Sequence, residues 1–279
     1  DSAGIAMHTE SKVAHLRALG KVKLLEDLMI NEKPKGKVGI AHTRWATHGE
    51  PSEINAHPHQ SNERIFIVHN GIIENYLELK DELSDSGYTF VSKTDSELIA
   101  HLLDSYLEEG VSLLDATMKL KDKLEGAYAI AALDHNDPNT LVLARHRSPL
   151  LIGLGEDENF AASDPLALAD LTNKFLILED GDVAKISPSN VEVFDKKNKS
   201  CKRDIQIIDI KSEAASKGEY KHFMEKEIYE QPNAILNTLD GRVGGDDILE
   251  NIFGEGSTDL FAKVKRIQIT ACGTSLHAG

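Results

Sequence analysis

Six short apolar runs follow one another in the middle of the chain: "AYAIAAL", "TLVLAR", "LLIGLG", "NFAAS", "KFLILED" and "VAKIS". Asn, Asp, Pro and Gly turn residues separate them. This succession constrains the fold more than any other feature. Strands joined by such short connections pair antiparallel, because a parallel pair needs a crossover of about a dozen residues. Two earlier strands are expected, Val38 to Ala41 and Ile65 to Val68, the second ended by the turn signal Asn70-Gly71. Tyr76, Leu79 and Leu83 recur at helical spacing, with Gly87 as a stop. "YTFV" reads as a brief strand. Thr94-Asp95-Ser96-Glu97 has the pattern of a capping box, opening a helix with Ile99, Leu102, Leu103 and Tyr106 on one face. A further helix is expected from Ser112 to about Leu124. Helices interleaved with hairpin-like strands predict a layered, antiparallel α+β domain.

From Asp195 to Tyr220 the chain turns polar and lysine-rich. It reads as a last strand (Ile205 to Ile210) followed by a linker. "HFMEKEIYEQPNAILNTL" reads as a helix kinked or broken by Pro232. "AKVKRIQITACGTSLHAG" reads as strand, tight Gly turn and helix start, the way an α/β phosphate-binding unit begins. The expected organisation is therefore a first domain over 1–210, a linker region over 211–262, and the opening of a second domain over 263–279.

Composition narrows the function classes. The formal net charge of −15 argues against nucleic acid and anionic lipid as partners. No apolar run approaches membrane-spanning length. The two cysteines, Cys201 and Cys272, make no disulfide framework and fit a reducing cytosol. The opening "DSAGIAMHTESK" is not a signal peptide and has no initiator Met, so the chain is expected to be a piece of a longer protein.

The stretch "HTRWATHGEPSEINAHPH", His42 to His59, gathers four histidines, an arginine and the single tryptophan. Three readings compete. A zinc site needs three or four ligands at defined spacing, and neither CxxC nor HExxH is present, so no metal is expected. His42, His57 and His59 also read as structural histidines bonded to backbone within a loop. In the third reading, Arg44 offers a planar fork for a carboxylate and Asp95 an opposite charge, a pair suited to an amino-acid zwitterion. Asp95 equally reads as a favourable charge at a helix N-terminus. Asn70-Gly71 is either a turn or an oxyanion hole.

Taken together, "HTRWATHGEPSEINAHPH", "VHNGIIENY", "GYTFVSKTDSELIAHLL" and the opening "DSAG" resemble the class II glutamine amidotransferases, in the branch that forms hexosamines. "LEGAYAIAALD", "SPLLIGLG", "ENFAASDPLAL", "KEIYEQPNAI" and "ITACGTS" continue the match in order. The resemblance implies an N-terminal-nucleophile hydrolase fold, a four-layer αββα sandwich, followed by a sugar isomerase domain. It implies L-glutamine and fructose 6-phosphate as substrates, no cofactor, a homodimeric parent and a cytoplasmic location. It assigns the glutamine α-carboxylate to Arg44, the α-amino group to Asp95, and the oxyanion hole to Asn70 and Gly71. Thr47 and His48 are implied as substrate contacts, Trp45 as a border of the ammonia passage, and Gly273, Thr274 and Ser275 as the first piece of a sugar-phosphate site. His57 is expected as a structural contact beneath the loop. The sequence departs from the family in one respect that bears on chemistry. The family's nucleophile is an N-terminal cysteine whose own α-amino group serves as base, and the resemblance places the opening "DSAG" downstream of that cysteine. This chain alone is therefore expected to be inactive.

Overall fold

The computed structural model describes residues 2–45, 49–208, 217–239, 242–244, 247–249, 257–271 and 273–279. They fall into two compact units, Asp1–Ala215 and Ser216–Gly279.

The first unit is a sandwich of antiparallel sheets between helices. Fourteen strands build it: β1 (Ser2–His8), β2 (Val13–Leu19), β3 (Gly39–Arg44), β4 (His59–Ser61), β5 (Ile65–Ile73), β6 (Gly126–Asp134), β7 (Leu141–His146), β8 (Leu151–Leu154), β9 (Asn159–Ala162), β10 (Lys174–Ile177), β11 (Val183–Ile186), β12 (Val191–Phe194), β13 (Ser200–Cys201) and β14 (Ile205–Ile207). One sheet has seven strands in the order β13-β12-β11-β7-β6-β5-β4. Two smaller sheets, β2-β1-β3 and β14-β10-β8-β9, lie on its other face.

Inward side chains fill the space between the layers. Phe66 and Leu133 of the large sheet meet Ala6, Val13 and Ile40 of the three-stranded sheet. Leu143, Ala184 and Ile186 meet Ile152 and Leu176 of the four-stranded one, with Leu150 just before it. Helices cover both outer faces. Helix α1 (Val22–Glu32) seats Leu25 against Ala3 and Ala18. On the opposite side α2 (Tyr76–Asp85), α3 (Glu97–Glu108) and α4 (Leu113–Lys123) pack on Ile65, Ile67, Ile130 and Val142 of the large sheet. The result is the expected αββα arrangement.

Three local expectations do not hold, for related reasons. Asn70-Gly71 is not a turn. Strand β5 runs through it to Ile73, with Asn70 opposite Ala129 and Gly71 opposite Tyr128 on β6. Gly71 has φ +139°, and a side chain there would overlap the Ala127 carbonyl, so only glycine fits. "YTFV" is not a strand. The amides of Val91 and Ser92 donate instead to the Glu97 carboxylate at 3.0 and 2.7 Å, which removes them from any ladder. Nor do residues 94–97 form a capping box. Ser96 is the N-cap of α3 but makes no capping hydrogen bond, because its hydroxyl is engaged with His69. Helix α4, in contrast, is capped as its sequence suggests, Ser112 Oγ accepting from the Asp115 amide.

The second unit contains α5 (Phe223–Leu239), which continues through Pro232 without the break its sequence allowed. It also has a two-residue ladder, Val243–Gly244 with Asp247–Ile248, and short helices Ser257–Phe261 and Thr274–Ala278. Residues 264–271, expected as the first strand of a sugar domain, form no ladder: a strand needs a hydrogen-bonded neighbour, and none lies beside them among the described residues. Residues 209 and 210, the end of the expected last strand, lie outside the described residues.

Candidate active site

Two strands from opposite sheets and the start of one helix define a polar cavity of about 220 Å³. Strand β3 supplies His42, Thr43 and Arg44, with Trp45 following. Strand β5 supplies His69, Asn70 and Gly71. The turn into α3 supplies Thr94, Asp95 and Ser96, and His57 closes one wall. The sequence-predicted residues Arg44, Trp45, Asn70, Gly71 and Asp95 thus line one cavity. Thr47 and His48 lie outside the described residues. Gly273 precedes the five-residue helix Thr274–Ala278 in the second unit, which carries Thr274 and Ser275.

Hydrogen bonds hold the polar groups in place, and those of Asp95 and Ser96 reach partners distant in sequence. Asp95 is buried, and its Oδ2 accepts the Ile73 amide at 2.8 Å, fixing the carboxylate against β5. The Ser96 hydroxyl and His69 Nδ1 share a hydrogen bond of 2.9 Å, a second tie between α3 and β5. Arg44 is buried and donates to the Gly49 carbonyl at 3.0 Å. Burial draws its guanidinium pKa below the ordinary value, against the opposing pull of Asp95. The cavity therefore presents one cation and one anion in a partly desolvated setting, where charge pairing is stronger than in water.

The histidines form a largely buried support. The His42 and His57 rings lie 4.3 Å apart, and His57 meets His59 edge-on at 4.6 Å. His59 Nε2 shares a 3.0 Å hydrogen bond with Thr94 Oγ1. Burial lowers all of their pKa values: that of His59 falls to about 3 and that of His69 to about 4, while His57 lies well below 6.5. Gly4 makes room for this stack, since a side chain there would overlap the His57 carbonyl. Among the described residues no group of three or more His, Cys, Asp or Glu is arranged to hold a metal ion.

A second, larger cavity of about 420 Å³ adjoins the first and shares His42, Thr43, His69 and Asn70 with it. Its walls are small and apolar, including Ala3, Ala41, Ala129, Ala131, Ala161 and Ala162. It runs between β3 and β9. Both are terminal strands of their sheets, so each has one edge unpaired among the described residues.

Thr94, Ser96 and His69 are site residues that sequence reasoning overlooked. The only available signal was their position beside Asp95 and Asn70.

A cavity that pairs an arginine with an aspartate beside an Asn-Gly corner, between two antiparallel sheets, defines a class, and comparison with known proteins agrees with it. Residues 42–170 match the family model for the glutamine amidotransferase domain. Two solved structures share the fold. Glutamine phosphoribosylpyrophosphate amidotransferase from Bacillus subtilis, complexed with ADP and GMP, is 25% identical with a TM-score of 0.60, over 70% of this chain and 43% of that one. An allosteric regulatory enzyme of purine biosynthesis is 26% identical with a TM-score of 0.61, over the same shares of the two chains. The chain carries a glutamine amidotransferase domain of the N-terminal-nucleophile type.

Its relatives are more particular than that. Over its whole length the chain is similar to glutamine–fructose-6-phosphate aminotransferase (isomerizing), at 50% identity to the proteins of Vibrio parahaemolyticus and Escherichia coli and 49% to that of Haemophilus influenzae. It spans less than half of their length, 46% in each case.

Proposed function

We propose that this chain is the glutamine-hydrolysing part of an enzyme that makes glucosamine 6-phosphate from fructose 6-phosphate and L-glutamine. The observation that carries the reading is the meeting of Arg44, Asp95, Asn70 and Gly71 in one cavity. Arg44 takes the α-carboxylate of glutamine as a charge-assisted pair. Asp95, already fixed by the Ile73 amide, takes the α-ammonium. These two anchors place the side-chain amide at the Asn70-Gly71 corner. There the Asn70 NH₂ and the Gly71 N–H stabilise the oxyanion of the tetrahedral intermediate, each donor contributing about 3 kcal/mol.

The attacking thiol comes from a cysteine outside residues 1–279. Two observations support this. No cysteine lines the cavity among the described residues, and Cys201 sits on β13, at the opposite edge of the large sheet from β4. The groove lined by β3 and β9 also has small-residue walls, and an extended segment seated in it would meet the open edges of both strands. A segment seated there ends beside His42, Thr43 and Asn70, where the two cavities join. The thiol attacks the amide carbon, and its proton passes to the cysteine's own α-amino group and on to the departing ammonia. Water then hydrolyses the thioester to glutamate.

Trp45, 87% exposed at the rim, fits a border for ammonia passing onward. Thr47 and His48 complete the substrate contacts, and Gly273, Thr274 and Ser275 begin the sugar-phosphate site. The parent is a cytoplasmic homodimer, and residues 1–279 alone have no glutaminase activity. Glutamate release from glutamine by the full-length protein tests the reading. Arg44→Ala and Asp95→Ala should each lower kcat/KM by 10²-fold or more, of the order expected for a lost charged contact. Turnover by residues 1–279 alone would refute the assignment of the nucleophile.

A further inference from the structure

Asn70 is exposed on β5, and its carboxamide has one anchor among the described residues. His42 Nε2 lies 2.8 Å from Asn70 Oδ1, and since a carboxamide oxygen can only accept, the histidine carries the proton on Nε2 and donates it. The amide nitrogen of Asn70 has no hydrogen-bond partner among the described residues. A terminal amide rotates in a broad, roughly two-fold potential, and its two ends differ little in shape. Turned the other way, Asn70 presents an oxygen lone pair to the site of developing negative charge.

We propose that His42 is a positioning residue for glutamine hydrolysis: by holding Asn70 Oδ1 it directs the Asn70 NH₂ toward the oxyanion. This rests on the reading of the cavity as a glutaminase site.

The fold is arranged to keep His42 in place. Its backbone is paired with Gly4 on β1, and its ring lies against that of His57, tilted by 38° with the centroids 4.3 Å apart. His57 in turn abuts His59, and its carbonyl packs where Gly4 lacks a side chain. His42 belongs to the three-stranded sheet and Asn70 to the seven-stranded one, so the bond crosses the sandwich and joins the two walls of the cavity. Burial lowers the pKa of the ring, which disfavours a second cation beside Arg44. Donation to Oδ1 also polarises the carboxamide and strengthens its N–H as a donor.

The test uses the full-length enzyme and separates kcat from KM. Arg44 and Asp95 hold the substrate independently of His42, so His42→Leu should lower kcat for glutamine hydrolysis about 10–100-fold with KM within about 3-fold. His42→Gln, which returns an N–H at similar reach, should recover most of the loss. In an Asn70→Ala background His42→Leu should have no further effect on kcat. If His42→Leu does not fold, His42→Asn, whose amide is too short to replace Nε2, takes its place in the cycle. The inference is overturned if His42→Leu leaves kcat unchanged, if His42→Gln is as impaired as His42→Leu, or if the loss persists in full without Asn70. Absence of glutamine hydrolysis in the wild-type protein would instead overturn the glutaminase reading itself.

Discussion

Replacing His59 with glutamine should flatten the acid limb of the stability profile by one proton. His59 is 2% exposed, and its pKa of about 3 in the fold compares with about 6.5 in an unfolded chain. The folded value is depressed, so the stability linked to this group is fully present above pH 6.5. It is lost as the pH falls below 6.5 toward 3, because the unfolded chain takes up a proton that the folded one excludes. At pH 7.5 both states are neutral and titration of this group takes nothing from the stability. At pH 5 the unfolded state gains roughly 2 kcal/mol from protonating this one residue. His15, whose pKa burial and the neighbouring Arg17 lower to about 4, adds a similar amount. Against a total stability of about 5–15 kcal/mol, these terms bring acid unfolding into a mild pH range. The assay is urea unfolding at pH 7.5, 6 and 5 for the wild-type and His59→Gln proteins. The variant starts lower, through loss of ring packing and of the Thr94 hydrogen bond. Between pH 7.5 and 5 it should then lose about 2 kcal/mol less than the wild type. Parallel profiles would refute the argument, for they would mean that His59 titrates alike in both states.

Other perturbations separate the forces at work. Gly71→Ala should abolish glutamine turnover and destabilise the domain by about 2–4 kcal/mol, because positive φ and the Ala127 carbonyl both exclude a side chain; near-normal activity and melting temperature would contradict this. Arg203 donates two hydrogen bonds to Asp182, whose side chain is fully buried, at 2.9 and 2.7 Å. Arg203→Ala leaves that carboxylate without its counter-charge and should cost about 3–5 kcal/mol in urea unfolding, while kcat for glutamine stays within a few-fold. For Glu97, burial acts to raise the carboxyl pKa, but His101 and hydrogen bonds from Val91 and Ser92 outweigh it and hold the value at about 2. The stability this provides is present above pH 4.5 and lost as the pH falls toward 2, so Glu97→Gln should cost about 2–3 kcal/mol at pH 7 and progressively less below pH 4.5.

Local periodicity made much of the fold legible. The six apolar runs between turns are β6 to β11, and the leucine spacing of α2 and α4 buries Leu79, Leu83, Leu113 and Leu120 as such spacing requires. Two of the errors fall at the candidate site and share one cause. Residues 94–97 have the composition of a helix cap, yet Asp95 bonds Ile73, Ser96 bonds His69 and Glu97 collects the amides of the preceding loop. Asn70-Gly71 has the composition of a turn, yet β6 pairs with it residue by residue. In both places long-range partners outcompete the local preference, and a single sequence carries no signal of which distant group will arrive. Family resemblance supplied Arg44, Asp95, Asn70 and Gly71. It did not supply the histidine stack behind them, because the partnership of His42 with Asn70 depends on two sheets meeting face to face.

The central claim is that Asp95 holds the α-ammonium of glutamine while Asn70 and Gly71 act on its side-chain amide. The most direct measurement compares L-glutamine with glutaramate, the same amide without the α-amino group, as substrates of the full-length wild-type and Asp95→Asn proteins. The account predicts that the wild type prefers glutamine in kcat/KM by about 100-fold, and that the preference shrinks to a few-fold in Asp95→Asn because the group that reads the ammonium is gone. An undiminished preference for glutamine in Asp95→Asn would contradict it.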